Sequence, residues 1–165
     1  DFVWARLALP DGSRLLAVSV HLSAKKEEMR AEEALALVGF IKTNAKPGER
    51  VAIGGDFNLR NLSEETLKEL GAVVVVPVDL PSDAAGNFHT NSPRNRPYDW
   101  VLVDPGTQHL CSPVTIAGLE FPSGLIFDSR VFEPLRAVPP VQAGDSDAPQ
   151  MQHMGVVRDF LLPPP

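Results

Sequence analysis

The hydrophobic pattern changes period twice within the first 56 residues, and that change confines the chain to few folds. Residues 2–9 and 14–20 are rich in valine, leucine and aromatics and are joined by Pro10-Asp11-Gly12-Ser13, so they read as a β-hairpin. From Lys25 to about Asn44 the apolar residues Ala34, Leu37, Val38 and Ile41 fall at helical spacing, with Lys25, Lys26, Glu28, Glu32 and Lys42 off that stripe. Ser23 is the expected N-cap, and Pro47-Gly48 ends the segment. Strand character returns at residues 51–55.

Further along, Ser63 with Glu64 and Glu65 opens a second helix, its carboxylates on the positive end of the dipole, and Gly71 suits the C-terminal cap. Residues 73–76 read as a buried strand, 81–97 as a loop with a short strand near 88–90, and 98–103 as a strand stopped by Asp104-Pro105-Gly106. Residues 114–117 are a further strand, 127–151 hold too many prolines for regular structure, and 155–161 read as a last strand. The order ββαβαβ mixes antiparallel neighbours with helical crossovers, so the expected class is α+β: a mixed, mainly antiparallel sheet with helices on one face.

Composition narrows the function more than the fold. A single cysteine, Cys111, excludes an internal disulfide framework, so packing must hold the chain together. The apolar runs at 34–38 and 72–76 are far shorter than the roughly 20 residues that span a bilayer. With 15 basic against 21 acidic residues the net charge is −6, which excludes the footprint of a tight non-specific nucleic-acid binder but allows local phosphate chemistry. Seven of the 16 prolines fall between Pro134 and Pro165, giving a domain over 1–161 and a proline tail over 162–165. Asp1-Phe2-Val3 already reads as strand and no charged, apolar leader precedes it, so the expectation is a piece of something longer. Nothing in the sequence indicates a compartment.

Polar chemistry sits where core strands would not place it. His21 ends the second strand; alone, a histidine there is as well explained structurally. Gly54-Gly55-Asp56-Phe57-Asn58 ends the third, and pleat alternation would send Asp56 and Asn58 to one side. A carboxylate and an amide oxygen suit a hard cation beside phosphate, whereas the alternative is a turn in which Asp56 caps its own backbone. Asp99 opens a strand of hydrophobic character and needs a donor, a cation or water, Arg94 and Arg96 being the nearest partners in sequence. Gln152-His153 precedes the last strand, while His89 and His109 read as loop residues.

In that order, His21-Leu22-Ser23, a long helix, Gly55-Asp56-Phe57-Asn58, Arg96-Pro97-Tyr98-Asp99-Trp100-Val101-Leu102-Val103 and His153, the chain resembles the endonuclease/exonuclease/phosphatase superfamily, which includes pancreatic deoxyribonuclease. The resemblance runs from about Val18 to Phe160. It implies half of a four-layer deoxyribonuclease-I-like sandwich, the C-terminal half, and a metal-dependent phosphoesterase, a nuclease among the possibilities. By the same resemblance His153 is the general base, His21 polarises the phosphate or assists the leaving group, and Asp99 orients a histidine. Asp56 and Asn58 orient nucleophile and phosphate and ligate Mg²⁺ or Mn²⁺, and Asn58 and Arg96 bind substrate, with Arg94 a further candidate to grip phosphate. Substrates on this reading are nucleic acids, phospholipid headgroups or small phosphodiesters.

Two departures from the family pattern stand out. The first-half glutamate and asparagine have no match here, so one sheet face is expected to need self-association or a companion segment. Gln152 stands where the family has aspartate, and Asp145 or Asp147 is the expected source of the missing charge. Gln152 and the missing half favour the alternative of a non-catalytic binding or scaffold member, or an inactive fragment. A serine hydrolase built on Ser23 ranks last, because no Gly-x-Ser-x-Gly elbow is present.

Overall fold

The computed structural model describes residues 2–164, so the two ends of the expected domain and tail, Asp1 and Pro165, lie outside the described residues. β1 (Phe2–Ala8) and β2 (Arg14–His21) form an antiparallel hairpin with Phe2 opposite Val20 and Ala8 opposite Arg14. Its turn is closed by Asp11, whose Oδ1 accepts from the backbone nitrogen and hydroxyl of Ser13, and by Gly12 at φ +80°. α1 (Glu27–Asn44) then crosses back, so that β3 (Arg50–Asp56) lies parallel to β2. α2 (Glu65–Leu70) follows, and β4 (Asp99–Val103) pairs antiparallel with β3, completing a four-stranded sheet in the order β1-β2-β3-β4.

Alternation along the strands decides which face is covered. Leu16, Val18 and Val20 of β2, Val51 and Ile53 of β3, and Trp100 and Leu102 of β4 are buried with Ala34, Leu37, Val38 and Ile41 of α1 and with Leu67 and Leu70 of α2 in one core. On the opposite face Val3, Ala5, Ala17, Ser19 and Gly54 line an open groove of about 430 Å³. Val3 there is 70% exposed, so the described residues leave this apolar side of the sheet without a cover.

The remaining elements form short two-stranded pairs. α3 (Pro105–Gln108) is capped by Asp104 and leads to β5 (Cys111–Ser112) and to β6 (Val114–Ile116), which pairs with β7 (Leu119–Phe121). β8 (Leu125–Phe127) pairs with β9 (Gly155–Val157), and β5 with β10 (Asp159–Phe160).

Several elements differ from the sequence reading, each for a local reason. Residues 73–76 form only one bridge, Val75 to Val103, because Pro77 follows immediately. Residues 88–90 are not a strand, and 155–161 splits in two at Arg158. The proline-rich stretch after Phe127 holds two 3₁₀ turns, Leu135–Ala137 and Asp145–Asp147. Ser23 does not cap α1, which starts at Glu27 without a side-chain cap. Gly71 does sit at the C-cap of α2, but in right-handed conformation.

One glycine is indispensable to this sheet. Gly55 sits at φ +136°, and a Cβ placed there would lie 2.1 Å from the Val20 carbonyl oxygen on β2. At Gly54 the nearest atom is 3.7 Å away, an ordinary contact. Gly55→Ala is expected to lower stability by about 2 kcal/mol or more, and Gly54→Ala by under about 1 kcal/mol, in denaturant titration. Equal losses from the two substitutions would contradict this reading of the sheet.

Candidate functional site

Register places the first three polar residues. In the β2–β3 pairing His21 stands opposite Asp56, and in the β3–β4 pairing Asp56 stands opposite Asp99, so one row across three strands carries all of them. The row lies on the face away from α1, at the end of the sheet where β2 and β3 stop.

Asn58 joins the row through a turn. It adopts φ +52°, a left-handed conformation that asparagine enters more readily than most residues. Asp56 Oδ1 accepts from the Asn58 backbone nitrogen at 2.8 Å, and Asp56 Oδ2 from Asn58 Nδ2 at 3.0 Å. Convergence of Asp56 and Asn58 is thus set by an Asx-type turn and not by pleat alternation, and the capping turn and the polar site are the same object. Asn58 Nδ2 also donates to the Leu22 carbonyl at 3.0 Å, which leaves its Oδ1 without a protein donor among the described residues.

His153 arrives from the far end of the chain. Thr90 accepts from Met154 at its carbonyl (2.7 Å), Ser92 donates to the Gln152 carbonyl (2.9 Å), and Asn91 bridges His153. His153 Nδ1 then lies 2.9 Å from Asp99 Oδ2, while its Nε2 is 3.8 Å from Asp56 Oδ2. An ionised carboxylate only accepts, so Nδ1 carries the hydrogen and a neutral ring turns the Nε2 lone pair toward Asp56. His21 Nε2 approaches the same oxygen to 3.5 Å from the other side, its side chain 74% exposed. Asp56 Oδ2 is therefore the shared neighbour of both imidazoles.

These groups open into a pocket of about 400 Å³ lined by His21, Asp56, Asn58, Gln152 and His153, together with Ala24, Asn91, Ser92, Pro93 and Tyr98. Asp99 stands behind His153. Burial pushes the Asp99 carboxyl above its ordinary pKa, and the nearby Asp56 carboxylate adds to this, against hydrogen bonds from His153 and Thr90 that pull it down. The burial has a visible source: Asp99 borders a cavity of about 20 Å³ otherwise walled mainly by apolar side chains, Pro81, Trp100, Val101, Ile126 and Val156 among them.

Some expected participants are elsewhere. Arg94 neither grips the pocket nor pairs with Asp99; it is held by Asp83 and Asp128, with its Nε 3.3 Å from Asp128. Arg96 donates its backbone nitrogen to Asn91 Oδ1 and does not line the pocket. Asp145 accepts from the Gln142 backbone and Asp147 pairs with Arg130 at 3.4 Å, so neither lines the pocket or supplies the charge absent at Gln152. Conversely, Thr90 and Asn91 border the site without a signal in the sequence, since Thr-Asn-Ser in a polar loop has no periodicity or motif; both are buried, and Thr90 Oγ1 accepts from the Asp99 backbone nitrogen at 2.8 Å.

No protein-family model matches the chain, and no curated protein does. Solved structures do. Sphingomyelinase C from Streptomyces griseocarneus is 18% identical at a TM-score of 0.50, with 73% of this chain and 52% of that chain covered. A mannosyl-6-phosphatase from Bacteroides thetaiotaomicron is 15% identical at 0.52 (74% and 52% covered), and a beta toxin from Staphylococcus aureus 19% identical at 0.50 (73% and 52% covered). The likeness to these structures is one of fold. The chain has a deoxyribonuclease-I-like fold. It spans about half the length of the structures it matches. Within this deoxyribonuclease-I-like fold, the polar row occupies the end of the sheet bordered by its open face.

The perturbed Asp99 gives a stability test. A carboxyl whose folded pKa exceeds its unfolded value weakens the fold above both values and ceases to do so below both. Asp99→Asn is therefore expected to raise the melting midpoint at pH 7, a gain that shrinks as the pH falls into the carboxylate range. A gain that grows on acidification, or none at pH 7, contradicts this.

Proposed function

We propose that the chain is the C-terminal half of a metal-dependent phosphoesterase, acting by water attack on a phosphoester. What supports the reading is the convergence of His21 and His153 on one carboxylate oxygen, Asp56 Oδ2, with Asn58 beside it and Asp99 behind. His153, oriented by Asp99 through Nδ1, accepts the proton of the attacking water at Nε2. The 3.8 Å gap between that nitrogen and Asp56 is too long for a direct bond and leaves a water within reach of both. His21, the most exposed member, meets the phosphoryl oxygen or the departing group. Asn58 and the backbone of its turn fix the phosphate beside them.

A divalent cation suits the donors present. The Asp56 carboxylate and the free Asn58 Oδ1 are hard oxygen ligands of the kind Mg²⁺ or Mn²⁺ takes alongside phosphate. Asp56, Asp99 and His153 also present ligating atoms within 4.8 Å of one another, but Asp99 is engaged by the His153 ring. Bound, the cation supplies neutralisation of the charge that develops on the phosphoryl oxygens. The acceptable substrates are phosphoesters; nucleic acid, lipid headgroup and small diester all remain within this class.

Gln152 favours a second reading, a non-catalytic binding member of the fold. Its exposed side chain lines the pocket as an uncharged amide, and no nearby aspartate compensates. The two readings separate on a chromogenic phosphodiester and on plasmid DNA, with magnesium, manganese or chelator, using protein that carries both halves. The enzyme reading expects metal-dependent turnover that His153→Ala lowers by about 10³-fold or more, and Asp99→Asn by about 10²–10⁴-fold. Equal, negligible signal from wild type and His153→Ala supports the binding module instead.

The open face of the sheet belongs to the same proposal: a companion segment bearing a second sheet, or a second copy of the chain, covers Val3, Ala5, Ala17 and Gly54. The small residues at the centre of that face leave room for a partner's larger side chains. Sedimentation of the isolated chain is expected to show association that Ala17→Lys abolishes. A monodisperse monomer at tens of micromolar contradicts the need for a cover.

A further inference from the structure

The helix stripe that packs on the sheet carries one charged residue. Arg30 of α1 shares its face with Ala34, Leu37, Val38 and Ile41 and is 1% exposed; its partner Glu64, just before α2, is 2% exposed. Arg30 Nε and Nη2 donate to the two carboxylate oxygens of Glu64 at 2.8 and 2.7 Å, a bidentate fork. A buried pair of this kind recovers little net stability, because each charge has left water. Its other contacts are more informative.

Arg30 Nη1 donates to the Ser23 carbonyl at 3.2 Å, and Glu64 Oε1 accepts from the Arg60 backbone nitrogen at 2.7 Å. Ser23 lies two residues beyond His21, and Arg60 two residues beyond Asn58. One helical turn after Arg30, Glu33 Oε2 accepts from the Ser23 backbone nitrogen at 2.7 Å, so α1 holds both backbone groups of that residue. The two loops are also stitched directly, with Leu22 donating to the Asp56 carbonyl at 2.9 Å. No comparable bond runs from the pair to His153, which is placed by Asp99 and by residues 90–92.

We propose that Arg30 and Glu64 are positioning residues: their buried fork locks the loop after β2 to the loop after β3, and so fixes His21 against Asp56 while leaving His153 independent. The geometric part stands without any assumption about chemistry; its consequence for turnover rests on the phosphoesterase reading.

The test separates positioning from stability by using Arg30→Met with Glu64→Leu. Replacing a buried ion pair by apolar residues of similar volume is commonly neutral for folding, whereas removing one partner is not. In this double variant the side-chain ¹⁵N and ¹H resonances of His21 are expected to shift or multiply, and those of His153 to stay within the wild-type envelope. In an active protein carrying both halves, kcat is expected to fall about 10-fold or more with KM changing less than about 3-fold. Arg30→Lys, which keeps a cation beside Glu64 but loses the fork and the Ser23 contact, is expected to show the same pattern at smaller size and serves if the double variant does not fold. A folded variant with wild-type His21 resonances, or one in which His21 and His153 move together, overturns the assignment. Selective movement of His21 in a protein that hydrolyses no phosphoester keeps the assignment and removes the hydrolytic reading instead.

Discussion

The parallel pairing of β2 with β3 is the constraint from which the site follows. Parallel strands end on the same side of a sheet, so His21 and Asp56 stop side by side, and the antiparallel entry of β4 brings Asp99 into the same row. That pairing holds only if β3 approaches β2 closely at its last residues, and Gly55 permits the approach where any side chain would collide with the Val20 carbonyl. The long crossover needed between parallel strands is α1, and the same helix that buries Leu37 and Ile41 against the sheet reaches the strand-end loops through Arg30 and Glu33. Backbone geometry, core packing and side-chain placement at the pocket are therefore one arrangement seen at three scales.

Electrostatics within the row are deliberately unequal in environment. Asp56 faces the pocket with both oxygens occupied by the Asn58 turn and its second oxygen exposed to two imidazoles. Asp99 sits behind, against apolar walls, where burial raises its pKa and where a single imidazole proton is its main partner. Two carboxylates separated in this way sit in different surroundings, one facing the pocket, the other hydrogen-bonded to the His153 ring. The buried Asp83–Arg94–Asp128 group does neither; it pins the loop that carries Thr90 and Asn91.

How much of this was legible depends on the range of the interaction. The hairpin, both helices and the central strands show in local periodicity, because each buries one stripe or one face. The four motifs that hold His21, Asp56, Asn58, Asp99 and His153 are visible in order, but their meeting point is not, since it depends on register across three strands and on the loop at Thr90, Asn91 and Ser92. Arg94 suggests a phosphate or Asp99 partner by its place in the sequence, because Asp83 and Asp128, its actual partners, are remote or unremarkable there. The Arg30–Glu64 fork was hidden for a similar reason: Glu64 reads as an ordinary helix-start acid, and only the fold shows it buried against α1. Short strands such as β7 and β8 escaped notice because three residues carry no measurable period.

The claim on which the rest turns is that two imidazoles from opposite ends of the chain share Asp56. Side-chain NMR of wild type and Asp56→Asn tests it directly, because a charge lost within 4 Å of both rings is felt by both. The account predicts that the His21 and His153 resonances both move while those of His89 and His109 stay in place. Movement of only one of the first two, with the fold intact, would contradict it.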